Sequence, residues 1–170
     1  MDFIVKLPLS HCYDSIWVVC DHLIRAAHFI PICKSMDAPE LSCLFMDRIF
    51  HHHGFPQAIV SDCGSIFVLS FFMQLMKICG TKMKPSMAFH PQTDSLTERT
   101  NQTLKTYLQA FCSYQQDDWV DYLALAEFVF NTLNSSTQQT PFFANIGFHP
   151  DFDIVITEWT TNPTAVELTK

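Results

Sequence analysis

The segment AFHPQTDSLTER, residues 88–99, decides how the rest of the sequence is interpreted. Proline has no backbone donor and is excluded from helix interiors, so Pro91 keeps the first half of the segment in a loop. Thr93 and Asp94 are candidate N-caps for the long helical pattern that follows. The segment therefore predicts that Glu98 lies in the first turn of a helix, with its carboxylate held at the edge of a loop.

The other elements are predicted from the period of the apolar residues and from the turn residues between them. The predicted strands cover residues 2–7, 15–21, 27–32, 58–61 and 81–83, and the predicted helices cover 41–54, 71–79, 96–114, 119–130 and a short helix from 140. The first three strands are close enough in sequence to form an antiparallel meander. A meander followed by a strand–helix–strand crossover predicts an α/β fold with a mixed sheet flanked by helices.

Composition favours one packed domain. Of the 170 residues, 48% are hydrophobic and 16% are charged, which excludes a disordered chain. The net charge of −7 is unfavourable for a nucleic-acid binder, although a whole-chain sum does not describe local patches. The seven cysteines contain no Cys-x-x-Cys pair and predict reduced thiols. No signal peptide or membrane span is recognised, so we expect an intracellular protein.

Three carboxylates fall at positions of special geometry. Asp2 opens the first strand, Asp62 follows the fourth strand, and Glu98 begins the long helix. If the first and fourth strands are neighbours, a helix packed on that sheet edge can bring all three acids together. Clustered carboxylates repel one another unless a cation lies between them, and hard oxygen ligands suit Mg²⁺ or Mn²⁺. Two such ions about 3.5–4 Å apart would suit phosphoryl transfer.

The spacing and the flanking residues of these acids form a recognisable pattern. Asp62 and Glu98 are separated by 35 residues, within SDCG at 61–64 and HPQTDSLTERTN at 90–101. This pattern resembles the catalytic core of retroviral-type integrases, and more closely that of gypsy-type long-terminal-repeat retrotransposons. Further segments that support the resemblance are residues 1–8, 14–19, 27–31, 114–119, 125–128, 140–142 and 147–150.

The resemblance implies a ribonuclease-H-like fold with a mixed five-stranded sheet. It also implies a metal-dependent polynucleotidyl transferase that trims the 3′ ends of element DNA and joins them to target DNA. On this interpretation Asp2 contacts both of two Mg²⁺ (or Mn²⁺) ions, while Asp62 and Glu98 each hold one. The resemblance suggests three nucleic-acid contacts, namely His90, Gln92 and Asn101.

The same resemblance sets the expected domain limits and partners. Residues 1–152 would form the core, truncated at its N-terminal edge, and residues 153–170 a weakly ordered tail. A frayed start would hold Asp2 poorly. The expected partners are element and target DNA, with RNA as a further candidate, and other copies of the chain within a larger polyprotein. An active protein of this kind would work in the nucleus.

Some alternatives remain open at this stage. Cys63 and Ser95 stand where the family has arginine and glycine, which fits a degenerate or co-opted remnant that binds nucleic acid or protein without catalysis. A ribonuclease-H-like nuclease fits the HPQTD segment less well. The tract His51-His52-His53 suits either a metal site or the C-terminal end of a helix, where His favours the dipole. His90 has either a structural role or a DNA contact.

Overall fold

The strands and helices are defined by a computed structural model that describes residues 1–56, 58–61, 65–79, 88–90, 95–133 and 139–150. The strands are β1 (Asp2–Ile4), β2 (Ser15–Cys20), β3 (Ala27–Ile32), β4 (Ala58–Val60) and β5 (Ala88–His90). The helices are α1 (Ala38–Phe45), α2 (His51–His53), α3 (Ser65–Ile78), α4 (Ser95–Phe111), α5 (Trp119–Thr132) and α6 (Pro141–Ile146). A π-helical segment, Met46–Phe50, joins α1 to α2.

The first three strands form the predicted antiparallel meander. Asp2 pairs with Val18 across β1 and β2, and Val18 pairs in turn with Phe29 of β3. The run SIWVVC in β2 is rich in β-branched and aromatic residues, and its side chains alternate between the two faces of the sheet. The central strand is therefore covered by protein on both sides.

The other two strands are parallel. Ala58 of β4 pairs with Ala88 of β5, and the intervening chain carries α3, as a parallel connection requires. The five described strands are hydrogen-bonded as one group of three and one group of two. The backbone nitrogen of Met1 donates to the carbonyl of Val60 at 2.7 Å and connects the two groups. This bond lies where β1 starts and β4 ends, so the two strand ends are neighbours, which is the condition that a shared acid site requires.

Two apolar clusters cover the two faces of the meander. Trp17 packs on one face against α1 and α3, with ring centroids 6.1 Å from Phe45 and 6.2 Å from Phe71. Its neighbours Ile16 and Val18 point to the other face and pack against α4 and α5. Complete burial of a side chain such as Phe71 contributes about 1.5–3 kcal/mol to stability. The sheet is thus held between two helical layers.

Three helices, α1, α3 and α4, begin earlier than the apolar period predicts. A capping box at Asp37 starts α1 before residue 41. The Asp37 carboxylate accepts a hydrogen bond from the backbone nitrogen of Glu40, and the Glu40 carboxylate accepts one from the backbone nitrogen of Asp37. α3 begins at Ser65 and not at residue 71. α4 ends at Phe111, three residues before the predicted end.

One loop prediction is wrong, and two other predictions concern residues outside the part of the chain that the structure describes. Residues 88–90, predicted as loop, form β5, because three residues before a proline show no readable period. The predicted strand over 81–83 and the tail over 153–170 lie outside the described residues, so the domain limits stay a prediction. In the described part of the chain, no helix combines the length and apolar character needed to cross a bilayer.

Candidate active site

Asp2 is held firmly at the start of β1. Its Oδ1 atom accepts a hydrogen bond from the backbone nitrogen of Phe3 at 2.7 Å, and its Oδ2 atom accepts one from the side-chain amide of Asn101. Met1, the preceding residue, is only 7% exposed and is bonded to Val60. The expectation that a frayed start would hold Asp2 poorly is therefore wrong. Sheet pairing and the contact with α4 fix this carboxylate.

Glu98 lies in the first turn of α4, as predicted, and is exposed. The helix buries Thr97, Asn101 and Leu104 against the sheet, which fixes its rotation about its own axis. Residues three positions apart share a helix face, so Glu98 projects from the same side as Asn101 and one turn before it. Since Asn101 contacts Asp2, the sheet edge that carries the first acid also faces the start of this helix.

The strand that precedes the second acid in the sequence ends beside the start of β1. Val60, the last residue of β4, accepts the hydrogen bond from Met1, and Asp62 comes two residues later in the sequence. Asp62 itself lies outside the described residues, as does Gln92, and of His90 only its backbone position in β5 is described. The structure thus places Asp2 beside the α4 face that carries Glu98, while Asp62 stays a prediction.

Asn101 has a second role that the sequence did not indicate. It was predicted to contact nucleic acid, and that role stays a prediction, but its side chain is 8% exposed and bonded to Asp2. The two residues are 99 positions apart, so no local pattern reveals the contact. The only available signal was its spacing three residues after Glu98, on one helix face.

The donor atoms at this edge fit a hard divalent cation. Carboxylate oxygens come from Asp2 and Glu98, and the buried Oδ1 atom of Asn101 has no hydrogen-bond partner among the described residues. Oxygen ligands of this kind suit Mg²⁺ and Mn²⁺ better than softer metals. In the described residues, no group of three His, Cys, Asp or Glu side chains could hold a metal by itself. The three-acid site therefore depends on Asp62.

Comparison with curated proteins finds relatives among transposon polyproteins. The chain is 36% identical over 143 residues to the Transposon Tf2-3 polyprotein of Schizosaccharomyces pombe (strain 972 / ATCC 24843). The match covers 84% of this chain and 11% of the polyprotein, so the chain spans about a tenth of that relative's length. No protein-family model matches the sequence.

Comparison with solved structures finds integrase cores. The catalytic core domain of HTLV-2 integrase, solved in complex with magnesium in a trimeric form, matches with a TM-score of 0.56 and 20% identity. That match covers 85% of this chain and 93% of the viral domain. A chain of the simian T-cell lymphotropic virus intasome matches with a TM-score of 0.60 and 20% identity, over 92% of this chain and 59% of that one.

The chain is a homologue of retrotransposon polyproteins and has the fold of an integrase catalytic core. The resemblance inferred from the acid spacing is thereby confirmed, as is the ribonuclease-H-like α/β fold.

Proposed function

We propose that this chain is the catalytic core of a retrotransposon integrase. It would process the 3′ ends of element DNA and transfer them to target DNA. The observation that carries the proposal is the contact between Asp2 and Asn101, which links the first acid to the helix of Glu98. The homology to Tf2 polyproteins and the integrase core fold support the same function.

The resemblance to integrase cores suggests the roles of the residues. Asp2, Asp62 and Glu98 would hold two Mg²⁺ or Mn²⁺ ions. When bound, such ions activate an attacking oxygen and stabilise the leaving oxygen of a phosphodiester. Asn101 keeps the carboxylate of Asp2 oriented, and β1 keeps it at the sheet edge. No serine or cysteine nucleophile is needed for this chemistry.

The partners and location follow from the proposed function. Element ends and target DNA would be the substrates, with His90 and Gln92 as candidate contacts. Copies of the chain would act together, as parts of a longer polyprotein product, and the reaction would occur in the nucleus. Because the net charge is −7, DNA affinity of this core would depend on local basic residues and on further modules.

A disintegration assay tests the proposal on the chain as it stands. The substrate is a branched DNA that mimics the joined product, and the reaction is measured with Mn²⁺. We expect product from the wild-type chain and only protein-free background from Glu98→Gln and Asp2→Asn. A matched control is Asp47→Asn, because Asp47 is an exposed carboxylate on the helical layer of the opposite face.

The outcomes separate the two candidate functions. Product from wild type and Asp47→Asn, but not from the Glu98 and Asp2 variants, supports a transferase. Equal product from all four proteins contradicts it. If a folded wild-type chain yields no product but still binds DNA, the result favours the non-catalytic remnant.

A further inference from the structure

A histidine pair lies on the surface between β3 and the end of α2. The Nε2 atoms of His28 and His53 are 3.0 Å apart, and their ring centroids are 5.1 Å apart. The two residues are separated by 25 positions in the sequence, so the fold brings them together. His53 is the last residue of the His51–His53 tract, for which the sequence left both a metal site and a helix end open.

Glu127 of α5 orients His28. Its Oε1 atom lies 2.9 Å from Nδ1 of His28, and its Oε2 atom accepts the backbone nitrogen of Phe29 at 2.8 Å. A carboxylate only accepts hydrogen bonds, so Nδ1 of His28 is the donor in this contact, and Nε2 is the ring nitrogen left to bind a metal. In metal sites, the ring nitrogen of a histidine ligand that does not bind the metal usually donates a hydrogen bond to a group such as a carboxylate.

His53 completes the pair from the end of α2. Its Nε2 atom faces Nε2 of His28 at 3.0 Å, so both rings are aimed at one point. Without a metal, a hydrogen bond at that distance places a single proton between the two nitrogens.

The pair also lines an open cavity. The cavity has a volume of about 620 Å³ and is lined by both histidines, Glu127, Arg48 and His52 among other residues. The contact between the two rings is exposed, so the pair borders this open space and is not enclosed in the core.

We propose that His28 and His53 bind one Zn²⁺ ion through their Nε2 atoms, with Glu127 positioning His28 and water completing the coordination. The ion takes the place of the proton between the rings, and the displaced proton moves to Nδ1 of His53. Two imidazoles on one tetrahedral Zn²⁺ have nitrogens about 3.3 Å apart, from Zn–N bonds of about 2.0–2.1 Å. The observed 3.0 Å needs only a small rotation of the exposed His53 side chain.

This site differs in chemistry from the candidate active site. Imidazole ligands favour Zn²⁺, Ni²⁺ and Cu²⁺, whereas the carboxylates of Asp2 and Glu98 favour Mg²⁺ and Mn²⁺. The described residues offer no third His, Cys, Asp or Glu in ligand geometry. The site is therefore an open one, with two protein ligands and exchangeable positions.

The test counts the zinc ions that bind to the chain after bound metals have been removed. Excess Mg²⁺ is present, so that carboxylate sites are occupied and do not take up zinc. Zn²⁺ is titrated calorimetrically, and bound zinc is counted by mass spectrometry of the elements. We expect the wild-type chain to bind one Zn²⁺ more than His28→Ala or His53→Ala. The matched control, His51→Ala, removes an exposed imidazole from the same tract and should bind as many ions as wild type. Glu127→Gln should weaken binding roughly tenfold or more.

Two further readouts keep the result decisive. In a Co²⁺ titration the site should show no thiolate charge-transfer band, which distinguishes it from zinc bound by the seven cysteines. If an alanine variant does not fold, the ring resonances of the wild-type histidines are followed by NMR. Zn²⁺ should shift those of His28 and His53 and leave those of His51 in place. Equal zinc counts in all folded variants, or unshifted His28 and His53 resonances, would overturn the proposal.

Discussion

The side-chain amide of Asn101 donates a hydrogen bond to the carboxylate of Asp2 and ties helix α4 to strand β1. The contact joins residues 99 positions apart, and it lies one helical turn from Glu98. It makes Asn101 a positioning residue for the first acid. The proposed site thus includes a partly buried polar contact that joins two elements of the fold.

Replacing Asn101 by alanine should therefore reduce stability measurably. A hydrogen bond to a charged group contributes about 1.5–3 kcal/mol, so Asn101→Ala should lower the free energy of unfolding by that amount. Chemical denaturation measures the change. Gln102→Ala, at the exposed neighbouring position, should change it by less than about 0.5 kcal/mol. Equal effects of the two substitutions would show that the amide contact does not stabilise the chain.

Asn131 offers a second test of long-range polar contacts. Its side chain accepts a hydrogen bond from the backbone nitrogen of Ala27 and donates one to the Ala27 carbonyl, both at 2.9 Å. A side chain of α5 thus pairs the backbone polar groups of the first residue of β3. An ionised aspartate cannot donate, and Asn131 is 6% exposed. Asn131→Asp should cost at least about 3 kcal/mol at neutral pH.

Acidification checks the cause of that loss. Burial raises the pKa of the introduced carboxyl group above its value in the unfolded chain. When the pH falls below this raised pKa, the carboxyl is protonated and can donate to the Ala27 carbonyl again. The difference in unfolding free energy between the Asn131→Asp variant and wild type should therefore shrink at low pH. The matched control is Asn145→Asp on the exposed side of α6, which should leave stability nearly unchanged. A deficit that does not vary with pH would contradict the explanation.

The two buried tryptophans provide a matched pair. The indole nitrogen of Trp119 donates to the carbonyl of Pro8 at 2.7 Å, whereas that of Trp17 has no partner in the described structure. Both side chains are buried, with 2% and 0% exposed. Trp119→Phe should therefore cost about 1 kcal/mol more than Trp17→Phe in denaturation measurements, because it also leaves the Pro8 carbonyl unpaired. The reverse order would contradict this assignment.

Thiol labelling should separate the cysteines by exposure and acidity. Burial raises the pKa of the Cys79 thiol, and burial with the nearby Asp118 carboxylate raises the pKa of Cys112. The thiolate is the reactive form, so both should be alkylated more slowly near pH 8 than exposed Cys43. Peptide mass spectrometry at timed intervals gives the rates. Similar rates at all three positions would disprove this order.

Local patterns predicted the fold well where a single element carried a clear period. The strand predicted over 27–32 has the same bounds in the structure. The short helix from Thr140 was predicted because Pro141 occupies its first position, and the Thr140 hydroxyl caps it. The acid spacing and the motifs that flank it indicated the resemblance to integrase cores.

Contacts between distant elements could not be predicted in this way. The strand β5 was missed because it has only three residues, and the π-helical segment because no sequence rule specifies it. The link between Asp2 and Asn101 and the pair His28–His53 arise from the packing of separate elements. The firm hold on Asp2 likewise depends on the burial of Met1, which its position in the sequence does not reveal.

The most direct test of the central claim is paramagnetic broadening of the backbone amide resonances by Mn²⁺. If Asp2, Asp62 and Glu98 form one site, substoichiometric Mn²⁺ should broaden the amides around all three positions together. Glu98→Gln should weaken the broadening at all three, and excess Mg²⁺ should reverse it. Broadening near residue 2 without broadening near residues 62 and 98 would contradict a shared metal site.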